Sequence, residues 1–198
     1  MNAYIAGLAT SLSLIVVIGA QNAFVLKQGL LRQHVFAACA FCALSDAVLI
    51  AAGVLGAGAL AARAPWFLEA MRWGGAAFLL VYGARAFRAA WRGGEALRAG
   101  QGAAGLGATL TVLAALTWLN PHVWLDTVVL LGSISAGWED RRGFAIGAVS
   151  GSILFFFALG YGARLLAPLF ARPRAWQVLD ALVGLVMWAI ALGLILKG

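Results

Sequence analysis

The sequence predicts an all-α polytopic membrane protein: six transmembrane helices built as a 3+3 inverted repeat, with the first and fourth helices broken. Three observations predict it. The chain of 198 residues is 64% apolar and only 11% charged, where a soluble domain would carry about 25% charged residues. Its apolar stretches reach the roughly 20 residues that a bilayer crossing needs, with short charged patches between them. Polar residues interrupt the first and fourth stretches at corresponding places.

Composition excludes other classes as well. The net charge is +7, but the basic residues are dispersed, so no nucleic-acid partner is expected. Cys39 and Cys42 are the only two cysteines, too few for a disulfide framework. The N-terminal apolar run has no basic segment before it and is expected to stay in the mature protein rather than leave as a signal peptide.

The six stretches are placed at 3–26, 35–61, 66–87, 106–136, 143–167 and 176–196, from apolar runs bounded by charges. The connections hold Lys27 and Arg32, then Arg63, then residues 88–105, then 139–142, then 168–174, none with room for a soluble domain. The first, third and fifth connections with their flanks carry most of the 14 basic residues, leaving Arg63, Arg72, Arg141, Arg142 and Lys197 to the other side. The positive-inside rule then puts the odd connections in the cytoplasm and both termini outside.

Two registers suggest a duplication. Setting Gly7 against Gly105 brings Ser11 onto Thr109, Leu12 onto Leu110, Ser13 onto Thr111 and Asn22 onto Asn120. Further on, Trp66 with Glu69 corresponds to Trp176 with Asp180. Three stretches per half make the second copy enter the membrane upside down, a construction typical of secondary transporters with a midplane site between the repeats. The chain therefore reads as one transmembrane transporter domain over 1–198: a first repeat over 1–90, a link over 91–104 and a second repeat over 105–198.

The candidate site residues are the polar groups a bilayer tolerates least. An ionisable group inside a span costs roughly 2.5–3.5 kcal/mol on insertion scales. Asp46 lies mid-span beside Ser45, with no basic residue within a helical turn or two, and is a candidate cation site or proton carrier. Asp126 stands in the fourth stretch. Glu69 and Asp180 read as interfacial. Gln21-Asn22 interrupts the first stretch and Asn120-Pro121 the fourth. Asn before Pro makes an N-cap followed by a favourable first helical residue, and the amino end of a half-helix suits an anion such as a carboxylate. As one continuous helix the fourth stretch would be about 46 Å long, against a hydrocarbon core of about 30 Å, which a break accounts for. Helix ends for a carboxylate and aspartates for cationic groups together describe a zwitterion site.

Several blocks carry a resemblance. Gly19-Ala-Gln-Asn-Ala-Phe-Val-Leu-Lys-Gln-Gly29, Cys42-Ala-Leu-Ser-Asp46, Arg72-Trp-Gly-Gly-Ala-Ala-Phe-Leu-Leu-Val-Tyr-Gly83 and Leu116-Thr-Trp-Leu-Asn-Pro-His-Val-Trp-Leu-Asp126 resemble the LysE-type amino-acid exporters, and within them the arginine exporters, over nearly the whole chain. The resemblance implies a multi-pass protein of the bacterial cytoplasmic (inner) membrane, not an enzyme, that moves L-arginine, L-lysine or analogues such as canavanine out of the cell. It implies coupling to protons or the membrane potential and no cofactor, and the chain has no Gly-x-x-x-x-Gly-Lys-[Ser/Thr] loop for ATP. The polar groups within the apolar stretches make Gln21, Asn22, Asp46, Asn120, Pro121 and Asp126 the candidate substrate-binding or coupling residues, with Ser45, Trp118 and His122 in second place. The family usually has Pro where this chain has Ala20, so the first break rests on Gln21-Asn22.

Two other readings compete. A membrane redox carrier would use Cys39 and Cys42, though the second half lacks a matching cysteine. A divalent-metal efflux protein would draw on these cysteines with His34, Asp46 and His122, which form no tight ligand motif, and no metal site is expected. Gly53-x-x-Gly56 and the stretch from Gly147 to Gly151 allow close helix packing, within the monomer or across a homodimer.

Overall fold

The computed structural model describes residues 2–16, 19–56, 65–92 and 105–196, and every regular element among them is helical. The end of the second stretch beyond residue 56, Arg63, the link through Arg98 and Lys197 lie outside the described residues.

The first stretch is two half-helices. In α1 (Ala3–Ile15), the Asn2 side chain caps the start by accepting the Tyr4 N–H at 3.0 Å. α2 (Ala20–Leu31) runs at 86° to α1. The break precedes Gln21-Asn22 instead of falling on them, and both residues lie in the first turn of α2. The reason is local chemistry. Gly19 takes the extended N-cap conformation, and Asn22 Nδ2 turns back to donate to the Ile15 carbonyl at 2.7 Å. Asn22 thereby satisfies a carbonyl that the end of α1 would leave without an intrahelical donor. Arg32 and His34, both left-handed with φ of 56° and 50°, turn the chain sharply into α3 (Val35–Val54).

α4 spans Pro65–Arg92 and α5 spans Leu106–Trp118. The fourth stretch then breaks where the sequence says. The Asn120 side chain accepts the His122 N–H at 3.1 Å, and Pro121 takes the first helical position. Helix resumes as α6 (Pro121–Trp124), widens into a π-helical segment over Leu125–Leu130, and closes as α7 (Leu131–Ala136). Asp140 caps α8 (Arg141–Gly162) by accepting the Gly143 N–H at 2.8 Å. Two short 3₁₀ turns, Ala163–Leu166 and Leu169–Ala171, lead to α9 (Pro173–Leu196).

Apolar side chains cover both the inner and outer faces of the long helices. In α9, Leu179, Val183, Met187 and Ala191 are buried while Val178, Leu182, Leu185 and Leu192 are exposed. A helix apolar all round belongs in lipid. Three described helices are long and apolar enough to cross a membrane, over Val35–Val54, Arg141–Leu166 and Arg174–Leu196, and the bent α1–α2 pair makes a fourth if counted as one span. α4 is long too, but it carries Glu69, Arg72, Arg85, Arg88 and Arg92.

Glycines let the backbones meet. A Cβ on Gly7 would strike the Phe144 carbonyl of α8, and one on Gly147 would strike the Tyr4 carbonyl of α1. Gly147 and Gly151 therefore serve the core of the monomer, a use the sequence alone could not separate from a dimer contact. Gly56 closes α3 at φ 95°, and a Cβ there would meet no described atom within 4 Å. α4 lies along α9, where Phe87 meets the Trp188 ring edge to face at 4.9 Å, a favourable geometry for such pairs.

One acidic residue departs from expectation. Glu69 is exposed and bonded to Arg72 and Trp73, as an interfacial group would be. Asp180 is not interfacial: it is 2% exposed, because Lys27 reaches across from α2 to pair with it. The pair ties the half-helix of the first stretch to the last helix.

Breaking a fully buried ion pair costs about 3–5 kcal/mol, but the two ends here differ. The Lys27 side chain is 25% exposed and that of Asp180 only 3%. A lysine left alone can extend its ammonium towards water; the aspartate cannot. Lys27→Met should therefore lower the thermal midpoint in detergent more than Asp180→Asn does, and the double variant should lie well above the sum of the two losses. Equal and additive losses would contradict a coupled pair.

Candidate functional site

The two broken stretches converge on one cavity of about 290 Å³, close to the lower end of small-molecule sites, about 300 Å³. Ser11, Leu14 and Ile15 line it from the end of α1, and Gly19 to Asn22 from the start of α2. Asp46 and Ile50 come from α3. Asn120, His122, Val123, Asp126, Thr127 and Leu131 come from the rebuilt fourth stretch, with Phe156 of α8 and Ile190 of α9 completing the wall.

The structure thus brings together Gln21, Asn22, Asp46, Asn120, Asp126 and His122, residues far apart in the chain. It does not bring Pro121, Ser45 or Trp118 to the cavity wall. Pro121 is buried against α4, where a Cβ on Gly75 would lie 3.7 Å from its Cδ. Ser45 is not part of the cavity wall and accepts from Trp118 Nε1 at 3.3 Å. Trp124 Nε1 in turn donates to the Trp118 carbonyl at 3.2 Å. Those residues brace α3 against the break and stand behind the site.

Asp46 is 8% exposed, and one carboxylate oxygen accepts from Ser152 Oγ of α8 at 2.7 Å. Sequence reasoning missed Ser152. Its signal was there: hydroxyls at 150 and 152 flanking Gly151 inside an apolar helix, polar groups at bilayer depth that need partners. Asp126 sits one residue into the π-helical segment and is exposed along the cavity. Among the described residues that line it there is no lysine or arginine. The charged wall of this cavity is acidic in a protein that is basic as a whole.

The two helix starts at the cavity are not equivalent, although the sequence gives them matched roles. At the fourth-stretch break Pro121 has no N–H, His122 N–H is held by the Asn120 side chain, and Val123 N–H by the Asn120 carbonyl at 3.1 Å. That end has little left to offer an anion. α2 starts from Gly19, which makes no side-chain cap bond. Beside it, Gln21 is 8% exposed, and its Nε2 is buried with no hydrogen-bond partner among the described residues. An amide donor and the amino end of a twelve-residue helix make this the side that suits a carboxylate.

Both cysteines are fully buried. Cys39 Sγ donates to the Phe156 carbonyl at 3.1 Å, and neither thiol forms a disulfide. Among the described residues no three His, Cys, Asp or Glu side chains converge as a metal site.

Comparison with known proteins finds relatives over nearly the whole chain. The family model described as LysE type translocator matches residues 12–198. The chain is similar to the arginine exporter protein ArgO of Yersinia enterocolitica, 46% identical over 198 residues, covering 98% of this chain and 97% of that protein. It is similar at 43% and 42% identity to proteins of the same name from Salmonella schwarzengrund and Salmonella paratyphi A, covering 98% of this chain and 94% of each. No solved structure matches.

The position of Asp126 depends on a glycine contact. A Cβ on Gly53 would lie 2.7 Å from the Val128 carbonyl oxygen and 2.9 Å from that of Thr127, and one on Gly132 would lie 2.6 Å from the Gly53 carbonyl. These are backbone atoms of the π-helical segment and of α3, so the helices themselves must separate. Gly53→Ala and Gly132→Ala should each lower the thermal midpoint and depress transport. Gly74→Ala, at an exposed helical position with open space, should be neutral or slightly stabilising, by up to about 1 kcal/mol. Melting in detergent with a parallel transport assay tests the contrast, and unaffected Gly53→Ala protein would refute the contact.

Proposed function

Because the chain belongs to the LysE-type translocator family, we propose that it exports L-arginine from the cytoplasm as a secondary transporter driven by protons or the membrane potential. L-Lysine and analogues such as canavanine are further substrates in this reading. The relatives named arginine exporter support the substrate class. The observation that carries it in the structure is the cavity between the broken stretches, with two aspartates and no lysine or arginine among the described residues of its lining.

In this reading the cationic side chain of the substrate binds Asp46. A carboxylate held by one hydroxyl keeps lone pairs for a guanidinium, and charge-assisted bonds of that kind are the strong ones. The α-carboxylate goes to the start of α2 and the Gln21 amide, a buried donor with no acceptor at hydrogen-bond distance among the described residues. Asp126, across the cavity wall on the fourth stretch, takes the α-ammonium. Asn22 and Asn120 hold the breaks open, and Pro121 fixes the second of them. Leu14, Ile15, Ile50 and Phe156 supply apolar walls for the methylene stem.

The proposal extends to architecture. Each half has an interrupted first stretch, then two long helices, α3 and α4 in the first and α8 and α9 in the second. This order suits six crossings as a 3+3 inverted repeat that rocks about the cavity. The excess of basic residues in the odd connections favours both termini outside the cytoplasm, in a bacterial inner membrane.

The test is efflux of labelled arginine, lysine and canavanine from loaded vesicles of both orientations. Asp46→Asn removes the charge that faces the guanidinium and should reduce arginine efflux by about 10-fold or more, since a hydrogen bond to a charged group contributes about 1.5–3 kcal/mol. Ser152→Ala should cause a smaller loss, because the carboxylate stays. Undiminished efflux by Asp46→Asn protein that is present in the membrane would sink its assigned role.

A further inference from the structure

We propose that Asp180 is a second binding position for the guanidinium of the substrate, one that the Lys27 ammonium occupies while no substrate is there. This rests on the reading of the chain as an exporter of a cationic amino acid. Asp180 of α9 is buried, and its carboxylate is paired with Lys27 of α2. Among the described residues it has no other ion-pair partner.

The two helices that hold this pair also line the cavity, α2 through Gly19 to Asn22 and α9 through Ile190. Lys27 stands seven residues after Ala20, a cavity residue, and so shares its helix face. The separation along α2 is about 10 Å at 1.5 Å per residue. On α9, Met187 stands seven residues after Asp180 and three before Ile190. Along these faces the residues between the pair and the cavity are apolar: Ala23 on α2, Val183 and Met187 on α9. With Ala20 they belong to one buried cluster. The pair is therefore a separate charged position, outside the cavity and on the same two helices.

Charge is not needed here merely to hold two helices together. Well-packed apolar side chains of similar volume often do so as well or better. What an ion pair adds is exchange. A carboxylate at this depth needs a cation at all times, but any cation that reaches it will serve. The Lys27 side chain is 25% exposed against 3% for Asp180. Its ammonium sits on a flexible four-carbon stem and can swing towards water while the carboxylate stays. A guanidinium offers a planar fork that meets a carboxylate with two parallel bonds, where an ammonium is a point charge. Arriving argininium displaces Lys27, and Lys27 returns when argininium moves on to Asp46 and Asp126. Asp180 holds one cation before, during and after, and no covalent bond changes.

Lys27 and Lys197 are the only lysines of the chain, which makes the exchange measurable. Wild-type protein in detergent is treated with an amine-acylating reagent and read by peptide mass spectrometry, with Lys197 as internal reference. L-Arginine should accelerate labelling of Lys27 severalfold, and the neutral isostere L-citrulline should not. The acceleration should persist in Asp46→Asn protein. Its loss in that variant would place the action of arginine at the cavity and overturn the inference, as would an unchanged or slower rate in the wild type. Lys27→Ala removes the chain's own cation and leaves space beside Asp180. L-Arginine should raise the thermal midpoint of this variant more than that of the wild type, as a ligand bound to the folded state does. Lys27→Ala/Asp180→Asn protein should lose the extra rise, and equal rises in all three proteins would also overturn the inference. Should Lys27→Ala fail to fold, the wild-type labelling still decides the matter. Protein that exports arginine with Lys27 labelling unchanged refutes this inference alone, whereas protein that exports none refutes the substrate reading itself.

Discussion

A polar backbone group at bilayer depth must find its partner inside the protein, and both interruptions of this chain are built around that constraint. Each leaves helix ends without intrahelical partners, and each answers with an asparagine. Asn22 reaches backwards to the last turn of α1, while Asn120 caps the turn that follows it. The consequence of these two solutions is a cavity. Two half-helices turned away from a straight path leave space between them, and the chain lines that space with the groups that could not be placed against lipid.

The same constraint explains why the two ends of the cavity differ. A cap that consumes its own N–H donors, as Asn120 and Pro121 do, makes a stable but closed helix start. A glycine cap makes no side-chain bond at the start of α2, and the Gln21 amide beside it has no hydrogen-bond partner among the described residues. On the acidic side, Asp46 is held by a hydroxyl from another helix, so the carboxylate is fixed without being neutralised. Backbone approach through Gly53 and Gly132 sets where Asp126 stands, because any side chain there would push α3 off the π-helical segment. Lys27 and Asp180 hold the far end of α2 against α9, so the half-helix that carries Gln21 and Asn22 is fixed at both ends.

Much of this was readable from the chain. Scarcity of charge pointed to lipid, and the Asn120-Pro121 pair marked a helix restart that the structure places at those residues. Asp46, Gln21, Asn22, Asn120, Asp126 and His122 were identifiable as polar groups in apolar surroundings, and all six line one cavity. The reading went wrong where a residue's role depends on what faces it. Gln21-Asn22 looked like the break because polar residues interrupt an apolar run, yet Asn22 bonds back across a break that lies before it. Asp180 looked interfacial by analogy with Glu69, and Lys27, 153 positions away, makes it a buried ion-paired residue instead. Ser45 was adjacent to Asp46 in sequence, but neighbouring residues on a helix point in directions about 100° apart, and Ser45 bonds to Trp118 behind the site.

By itself the sequence determined the solvent this protein is made for, the helical class, the second break and the inventory of groups that must be shielded from lipid. Those properties follow from composition, local capping and periodicity, which act between near neighbours in the chain. Only the tertiary structure decided which of those groups share a cavity, which helix start stays open to a carboxylate, and which acid is ion-paired and which is held by a hydroxyl. These are contacts between segments far apart in the chain, set by how closely glycine-bearing backbones can approach, and no local pattern encodes them.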